Sequence, residues 1–250
     1  MSSRDRPRWS RRTPADLVAL LVCGVYALAN LVLVTTNWEF DDIHAYLNAA
    51  QRIRDGAPLY ITAADPSDLY LYAPWFAFAW VPFTFLPSTS VEVGWAVVLI
   101  LSTVAAVLPL RGSIAGIALA LLLGGLLYRT AGWGNVQPLI VAVLVYALPT
   151  RAGPWAVGLS ASLKPLTLLL LAGYAWRREW QAVAIGLGLA VVLWLPLLLF
   201  DPATYPLGSR APNLYDATLL LAVPALIHGM RHTSQPSRGL AGLRSRVRVS

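Results

Sequence analysis

The stretch Leu17–Val34 is an uncharged apolar run with one polar interruption, Asn30. A run of this length can cross the hydrocarbon core of a bilayer as a helix. It exceeds the apolar region of an ordinary cleavable signal, and no small-x-small cleavage pattern follows before Trp38, so we expect a retained first membrane span. The only cysteine, Cys23, lies within this span, which excludes a disulfide framework and a metal site built on thiolates.

Composition extends this constraint to the whole chain. Hydrophobic residues make up 57% of the 250 residues and charged residues 12%, which is too apolar for a soluble domain. We therefore predict an all-α polytopic integral membrane protein with about eight spans or short half-spans. The predicted crossings lie at about 15–36, 71–87, 92–110, 113–130, 136–150, 154–176, 180–200 and 217–230. Because the apolar runs between 113 and 149 are short and broken at Gly132–Pro138, that region forms either two short spans or one re-entrant hairpin.

Basic residues gather at both ends of the chain, with five arginines before the first span and five after the last apolar run. Under the positive-inside rule both termini lie in the cytoplasm, which requires an even number of crossings. This arrangement puts Arg111 and Arg151 on the outer side, against the same rule. Two short basic arms around a membrane body do not indicate nucleic-acid binding. The predicted parts are a basic cytoplasmic N-terminus at 1–14, a single transmembrane domain at 15–230 with an outer loop at 37–70, and a basic disordered cytoplasmic tail at 231–250.

An acid-rich segment, Glu39–Tyr72, follows the first span and contains six of the twelve carboxylates. Residues 42–55 have the periodicity of an amphipathic helix that lies on the membrane surface. An N-cap role explains only one aspartate of the Asp41-Asp42 pair. If Asp41 is the cap, Asp42 lies in the first turn with a side chain able to accept a proton, and Tyr46 follows one turn later on the same face. Because carboxylates beside a bilayer are costly to desolvate, the cluster favours a catalytic role.

Aromatic residues, among them Tyr60 and Tyr72, follow the surface helix up to the second apolar run. Aromatic residues at the entrance of a span commonly form an interfacial belt. The alternative is a platform for a sugar ring or a prenyl chain, and the spacing does not decide between the two roles.

The chain has one lysine, Lys164, within the sixth predicted crossing. An ammonium at that depth costs about 2.5–3.5 kcal/mol on insertion scales, so we expect it to face a cavity or a partner. Pro165 breaks the helix beside it, and a cation at a helix break is a candidate site for an anion such as a phosphate. The alternatives are an ion pair with Glu92 and snorkelling to the interface. For Asn135 and Gln137, also at membrane depth, helix–helix hydrogen bonding is the usual role.

Ordered motifs run through most of the chain. Those near the first outer loop are Asp42-x-x-x-Tyr46, Ala49-Ala50, Gly56-x-x-Leu59-Tyr60, Tyr72-x-Pro74 and Leu86-Pro87. Those farther along are Gly134-Asn135-x-Gln137, Gly158-Leu159-x-Ala161-x-Leu163-Lys164-Pro165 and Arg177-Arg178-x-Trp180. In this order, over residues 15–200, the chain resembles glycosyltransferase family 87, although the family's Gly-Gln-x-Asn element has its amides exchanged here. Family members are polytopic GT-C enzymes and include actinobacterial α-mannosyltransferases that use polyprenyl-phosphate mannose.

The resemblance implies an inverting transfer of mannose from a polyprenyl-phosphate donor to a lipid or glycan acceptor at the outer face of a bacterial plasma membrane. It makes Asp42 the expected general base, with Asp41 as the substitute if the register shifts by one, and Lys164 a candidate for the donor phosphate. The other expected substrate contacts are Tyr46, Tyr60, Tyr72, Asn135 and Gln137. A lipid phosphate leaves with its charge held, so the reaction implies no metal and no cofactor. Membrane lipids are the surrounding partners.

The sequence leaves two other functions open. A small transporter or lipid flippase could line its path with Lys164 and the broken helices. Such a carrier would have a site at the membrane midplane, whereas a transferase would have a cavity beside Asp42. Because family members are generally longer, the chain could also be a truncated, non-catalytic relative.

Overall fold

The computed structural model describes residues 13–61, 69–200 and 205, and within them every regular element is a helix. The α-helices are α1 (Pro14–Thr36), α2 (Asp41–Arg54), α3 (Pro74–Trp80), α4 (Ser88–Val107), α5 (Ile114–Gly132), α6 (Gln137–Ala147), α7 (Gly153–Leu163), α8 (Leu171–Trp176) and α9 (Trp180–Trp194). Short 3-10 helices occupy Val81–Phe85, Leu108–Gly112, Pro165–Leu170 and Leu195–Leu199. The predicted crossing at 217–230 and the basic tail lie outside the described residues.

Four of these helical segments are long and apolar enough to cross a membrane. They are Pro14–Thr36, Ser88–Gly112, Ile114–Gly132 and Trp180–Leu199. Much of their leucine and valine surface is exposed, as expected where lipid replaces water. The all-α, polytopic membrane class predicted from the sequence is therefore confirmed.

The first and fifth helices lie side by side and run in the same direction. Gly125 packs against Tyr26, and farther along a Cβ added at Gly132 would lie 2.7 Å from Val34 Cγ1. The backbone N–H of Phe40, directly before α2, donates a 3.3 Å hydrogen bond to the Gly132 carbonyl. α1 and α5 therefore both finish at the end of the bundle that carries α2, which we call the α2 end.

α4 and α6 are also parallel to each other, and both begin at the α2 end. Trp95 Nε1 in α4 donates a 2.7 Å hydrogen bond to the Gly134 carbonyl just before α6. Farther along both helices, the Tyr146 hydroxyl donates a 2.9 Å hydrogen bond to the Ala105 carbonyl. The segment between 113 and 149 is thus a span-length α5 followed by an α6 of 11 residues. Which of the two predicted alternatives applies stays a prediction.

The predicted crossing at 71–87 is wrong. Its regular part is a seven-residue α3 and a five-residue 3-10 helix. Near its start the Tyr72 hydroxyl lies 3.5 Å from Asp42 Oδ1, and near its end Arg54 Nη1 donates a 3.2 Å hydrogen bond to Thr84 Oγ1. Because both ends of this segment contact α2, the segment stays at the α2 end.

This change also relocates Arg111 and Arg151. The span Ser88–Gly112 has 25 residues and starts at the α2 end, so Arg111 lies about 37 Å away at the opposite end. Arg151 follows α6, which runs the same way as α4. Their predicted location on the same side as the acid-rich loop is therefore wrong, and the expected conflict with the positive-inside rule disappears.

The predicted crossing at 154–176 is instead a hairpin of two short limbs. α7 ends at Leu163, and the chain turns at Lys164 into a 3-10 helix that continues as α8. The limbs pack together, because a side chain added at Gly153 would meet the Tyr174 hydroxyl. The turn lies at the α2 end, so the arginines after α8 join Arg111 and Arg151 at the opposite end.

Candidate active site

α2 presents one face to the interior of the bundle, as its periodicity predicted. The residues buried on this helix are Asp42, Ile43, Ala45, Tyr46, Ala49 and Ala50. The N-cap position is Phe40, with a left-handed φ of 53°, and it makes no side-chain cap hydrogen bond. The expected capping role of Asp41 is therefore wrong. Both aspartates stand in the first turn, where Asp41 is half-buried and Asp42 is 7% exposed.

Four predicted site residues form one hydrogen-bonded cluster that includes the Asp42 carboxylate. Asn135 Nδ2 donates a 2.9 Å hydrogen bond to Asp42 Oδ2 and lies 3.3 Å from the Tyr72 hydroxyl. That hydroxyl lies 3.5 Å from Asp42 Oδ1 and accepts a 3.1 Å hydrogen bond from the Tyr46 hydroxyl. Three distant parts of the chain thus hold one buried carboxylate with polar side chains. We call these four residues the Asp42 cluster.

The turn between α5 and α6 orients Asn135 toward Asp42. The backbone N–H of Gln137 donates a 2.9 Å hydrogen bond to Asn135 Oδ1, which leaves the amide nitrogen of Asn135 pointing at the carboxylate. Gly134 has a φ of 74°, and a Cβ there would lie 3.1 Å from Ile43 Cβ. Only glycine suits this conformation and this close approach. Asn135 thus makes a hydrogen bond to helix α2, as the helix–helix role expected for it would require, and a substrate contact stays a prediction.

The Lys164 ammonium reaches the same cluster from the hairpin. Its Nζ lies 5.9 Å from the centre of the Tyr72 ring. The hairpin is also attached to α3, because Trp75 Nε1 donates a 3.0 Å hydrogen bond to Ser162 Oγ. Glu92, the partner considered for Lys164, lies 3.1 Å from His44 Nε2. A carboxylate therefore lies near the hydroxyl of Tyr72, and an ammonium lies near its ring.

Tyr60 is hydrogen-bonded to the backbone of Tyr72. Its hydroxyl donates a 2.9 Å hydrogen bond to the Tyr72 carbonyl, and the Tyr70 hydroxyl donates one of the same length to the Ala73 carbonyl. Tyr60 and Tyr70 are each 1% exposed and Tyr72 is 5% exposed. An interfacial belt is therefore wrong for these three tyrosines, which form a packed wall beside the carboxylate.

Burial raises the pKa of the phenols of Tyr46, Tyr60 and Tyr70 and so keeps them neutral. Desolvation is the largest cause that raises the pKa of Tyr46, and the nearby Tyr72 and Asp42 raise it further. Desolvation likewise raises the pKa of Tyr60 and of Tyr70. A phenol that holds its proton can donate a hydrogen bond but cannot act as a base at neutral pH. In the Asp42 cluster the group suited to accept a proton is the carboxylate.

A cavity of about 200 Å³ lies next to the cluster, at the α2 end of α1 and α5. Its lining residues are Leu33, Val34, Asn37, Glu39, Arg129, Gly132 and Trp133. Asp42 does not line it, but the two sites share a wall, because the Trp133 carbonyl accepts a 2.9 Å hydrogen bond from the Asp42 backbone N–H.

Sequence reasoning missed this cavity and the contact between Trp75 and Ser162. A signal for the cavity was present, because Arg129 and Trp133 have the spacing of neighbours on a helix face. The Arg129 guanidinium indeed lies 5.9 Å from the Trp133 ring centre. No sequence pattern pairs Trp75 with Ser162, which are 87 residues apart.

Comparison with protein families identifies the family of the chain. The family model of glycosyltransferase family 87 matches residues 70–240, more than half of the chain. No curated protein and no solved structure matches the chain. The matched range contains Tyr72, Asn135, Gln137 and Lys164, and α2 with Asp42 precedes it.

Proposed function

The chain belongs to glycosyltransferase family 87 and is a membrane glycosyltransferase, and from this premise we propose the reaction that it catalyses. It transfers mannose from a polyprenyl-phosphate donor to a hydroxyl of a lipid or glycan acceptor. Asp42 acts as the general base, and the anomeric configuration inverts. The observation that carries this proposal is the convergence of Asp42, Asn135 and Lys164 on Tyr72.

In the proposed reaction, Asp42 removes the proton of the acceptor hydroxyl. The acceptor oxygen then forms a bond to the anomeric carbon of the donor sugar from the face opposite the phosphate. Asn135 keeps its 2.9 Å hydrogen bond to one carboxylate oxygen and so holds the other in a fixed direction. A base positioned in this way contributes typically about 10²–10⁴-fold to a rate.

The bond between the anomeric carbon and the phosphate oxygen breaks in the same step. Its electron pair stays on the polyprenyl phosphate, which departs as an anion. Among the described residues, Lys164 carries an ammonium close enough to the Asp42 cluster to stabilise that charge. A fixed cation beside a developing negative charge lowers the activation free energy of the transfer. A single displacement of this kind inverts the anomeric configuration.

The α2 end is proposed to face the outer side of the membrane. Arg111, Arg151, Arg177 and Arg178 lie at the opposite end of the bundle, where its helices are connected, and arginines concentrate in cytoplasmic connections. This orientation puts Asp42 where a donor and an acceptor anchored in the outer leaflet can both reach it. It also puts Pro14, the first residue of α1, on the cytoplasmic side.

Family membership favours a transferase over the transporter considered from the sequence. The described cavity lies at the α2 end of two spans and not at their midplane, where a carrier would have its site. Asp42 does not line it, so a cavity that opens on Asp42 stays a prediction. The closeness of the Asp42 carboxylate, the Asn135 amide and the Lys164 ammonium supports a catalytic member over a purely structural relative.

The test is transfer by the purified protein in liposomes. Polyprenyl-phosphate mannose and a lipid extract from the source membrane serve as substrates, and mass spectrometry detects a product heavier by one hexose. NMR of that product is expected to show an anomeric configuration opposite to that of the donor. Retention of configuration would rule out the single displacement, and transfer from a nucleotide sugar in place of the lipid donor would rule out the donor class.

A further inference from the structure

Trp95 in α4 lies outside the Asp42 cluster, yet it is hydrogen-bonded to the turn that carries Asn135. We propose that Trp95 is a positioning residue for the transfer, which acts by fixing the peptide group between Gly134 and Asn135. This inference rests on the proposed function, because it assigns a role in that reaction. It is carried by one hydrogen bond, by the flexibility of the glycine that accepts it and by the contacts that anchor α4.

The peptide group between Gly134 and Asn135 is held on both of its edges. Trp95 Nε1 donates a 2.7 Å hydrogen bond to the Gly134 carbonyl. On the other edge, the Asn135 N–H donates a 3.1 Å hydrogen bond to the Thr130 carbonyl near the end of α5. Because the peptide group is planar, the two bonds together fix its orientation. That orientation sets the direction of the Asn135 side chain, and hence the 2.9 Å hydrogen bond from its amide to Asp42.

The turn does not fix this peptide group by itself. Gly134 has a φ of 74°, and glycine, which has no Cβ, adopts positive and negative φ values about equally readily. A fixed orientation therefore requires a partner from another element, and Trp95 provides it. Because the N–H is the only polar group of an indole and only donates, the hydrogen bonding of the Trp95 side chain is used entirely at this turn.

The Trp95 ring is itself held in place by an aromatic neighbour. It packs edge-on against Trp80, with 5.0 Å between ring centres and an interplanar angle of 80°. Trp80 is 4% exposed and lies 5.4 Å from the ring of Tyr46 in α2. Edge-to-face packing stabilises this orientation of the indole, so its N–H stays directed at the Gly134 carbonyl.

The same helix also contacts α2, the element that carries Asp42. Glu92, one turn before Trp95 in α4, lies 3.1 Å from His44 Nε2 in α2. Because α4 is a regular helix of 20 residues within a membrane span, these two contacts keep a fixed separation. The backbones that carry Asp42 and Asn135 are thus both attached to one stretch of α4, and Trp95 makes the attachment on the Asn135 side.

Two substitutions separate the hydrogen bond of Trp95 from its packing. Trp95→Phe keeps an aromatic ring beside Trp80 but has no N–H to donate. Trp95→His loses the benzene part of the ring, but its Nε2 occupies the position that Nε1 has in the five-membered ring of the indole and can carry a proton. Transfer by the purified variants in liposomes gives kcat and the KM for the polyprenyl-phosphate donor, and thermal unfolding identifies the variants that are folded.

We expect Trp95→Phe to lower kcat about fivefold, the change that corresponds to the loss of one neutral hydrogen bond. The KM for the donor should stay within about twofold of the wild type, because the donor phosphate is proposed to lie at Lys164, on a separate hairpin. Trp95→His should keep a higher kcat than Trp95→Phe, although it unfolds at a lower temperature than the wild type. The matched control is Trp176→Phe, which changes a tryptophan that is 91% exposed at the opposite end of the bundle and should transfer at the wild-type rate.

A folded Trp95→Phe with the wild-type kcat overturns the proposal, and so does a folded Trp95→His whose kcat falls as far as that of Trp95→Phe. If Trp95→His does not fold, a double-mutant cycle with Asn135→Ala decides. In the Asn135→Ala background, Trp95→Phe should lower kcat by less than about twofold, since the side chain that Trp95 positions is absent. The same loss of kcat in both backgrounds overturns the proposal.

Asp42→Asn separates this inference from the proposed function. If Asp42→Asn transfers sugar at the wild-type rate, while Trp95→Phe lowers kcat and Trp95→His retains it, the proposed base is wrong and the positioning role of Trp95 stands. If Asp42→Asn loses transfer while folded Trp95→Phe keeps the wild-type kcat, the base stands and the positioning role is wrong.

Discussion

Asn135 donates a 2.9 Å hydrogen bond to the Asp42 carboxylate across 93 residues of sequence. The bond joins the turn before α6 to the first turn of α2, and Tyr72 contacts both residues. A buried carboxylate without such partners would be strongly destabilising, so the cluster provides the hydrogen bonds that make burial of Asp42 possible. The same arrangement leaves the carboxylate in a fixed position beside the membrane, where the proposed chemistry requires it.

Tyr72→Phe is expected to lower the rate of sugar transfer and, because it removes a hydrogen bond from the buried Asp42 carboxylate, also to lower the melting temperature. The substitution keeps the ring that packs beneath Lys164 but removes the hydroxyl shared by Asp42, Asn135 and Tyr46. Loss of one hydrogen bond to a charged group corresponds to about a tenfold or larger reduction in kcat. Turnover at saturating donor and acceptor measures this change.

Tyr70→Phe is the matched control for Tyr72→Phe. It removes a buried tyrosine hydroxyl that donates to the Ala73 carbonyl and does not contact Asp42. Equal rates for the two variants would show that the Tyr72 hydroxyl acts only through packing and not through Asp42.

Gly134→Ala is expected to reduce both stability and transfer. A left-handed φ costs a non-glycine residue about 1–2 kcal/mol, and the new Cβ would also press on Ile43 at 3.1 Å. That pressure displaces Asn135 from Asp42. Gly56→Ala carries the same kind of backbone cost, since its φ is 67°, but nothing lies within 4 Å of its Cβ.

Thermal unfolding and transfer assays on both glycine variants separate the two effects. Both should unfold at a lower temperature than the wild type, but only Gly134→Ala should lose transfer beyond its loss of folded protein. A fully active Gly134→Ala would mean that the position of Asn135 does not matter for catalysis.

Gly158→Ala is expected to destabilise the hairpin that carries Lys164. Its Cβ would lie 2.6 Å from the Gly186 carbonyl oxygen and 2.9 Å from Leu189 Cβ, where α7 and α9 cross closely. Overpacking of this kind costs about 1–3 kcal/mol. Gly188→Ala in α9 is the control, because nothing lies within 4 Å of its Cβ and it should be neutral or slightly stabilising. The melting temperatures of the two variants in detergent provide the measurement. A lower melting temperature for Gly188→Ala than for Gly158→Ala would contradict this packing.

Hydrophobic periodicity predicted the helices more successfully than it predicted their directions. An apolar run indicates a buried or membrane helix, but length alone did not show that α3 stays beside α2. The aromatic face of α3 packs on Tyr46, with Phe76 5.0 Å from it between ring centres, and this tertiary contact is not visible in a pattern of apolar residues. The break at Lys164–Pro165 was predicted, yet the reversal of the chain there was not, because a proline break allows either a kink or a hairpin.

For the candidate site as well, local spacing was predicted correctly and long-range contacts were not. Helical spacing predicted that Asp42 and Tyr46 share a face, and the structure confirms that prediction. No periodicity could bring Asn135 or Lys164 to that face, because both contacts depend on how separate helices pack. Only the order of motifs shared with the family suggested that these residues belong to one site, and their catalytic roles stay predictions.

The central claim is that the carboxylate of Asp42 takes the acceptor proton, and the most direct measurement is the transfer rate of Asp42→Asn. The amide keeps nearly the same shape but cannot act as a base. With purified protein, polyprenyl-phosphate mannose and acceptor in liposomes, we expect folded Asp42→Asn to lose transfer by about 10²-fold or more, while Asp55→Asn keeps the wild-type rate. Wild-type turnover by Asp42→Asn would contradict the account.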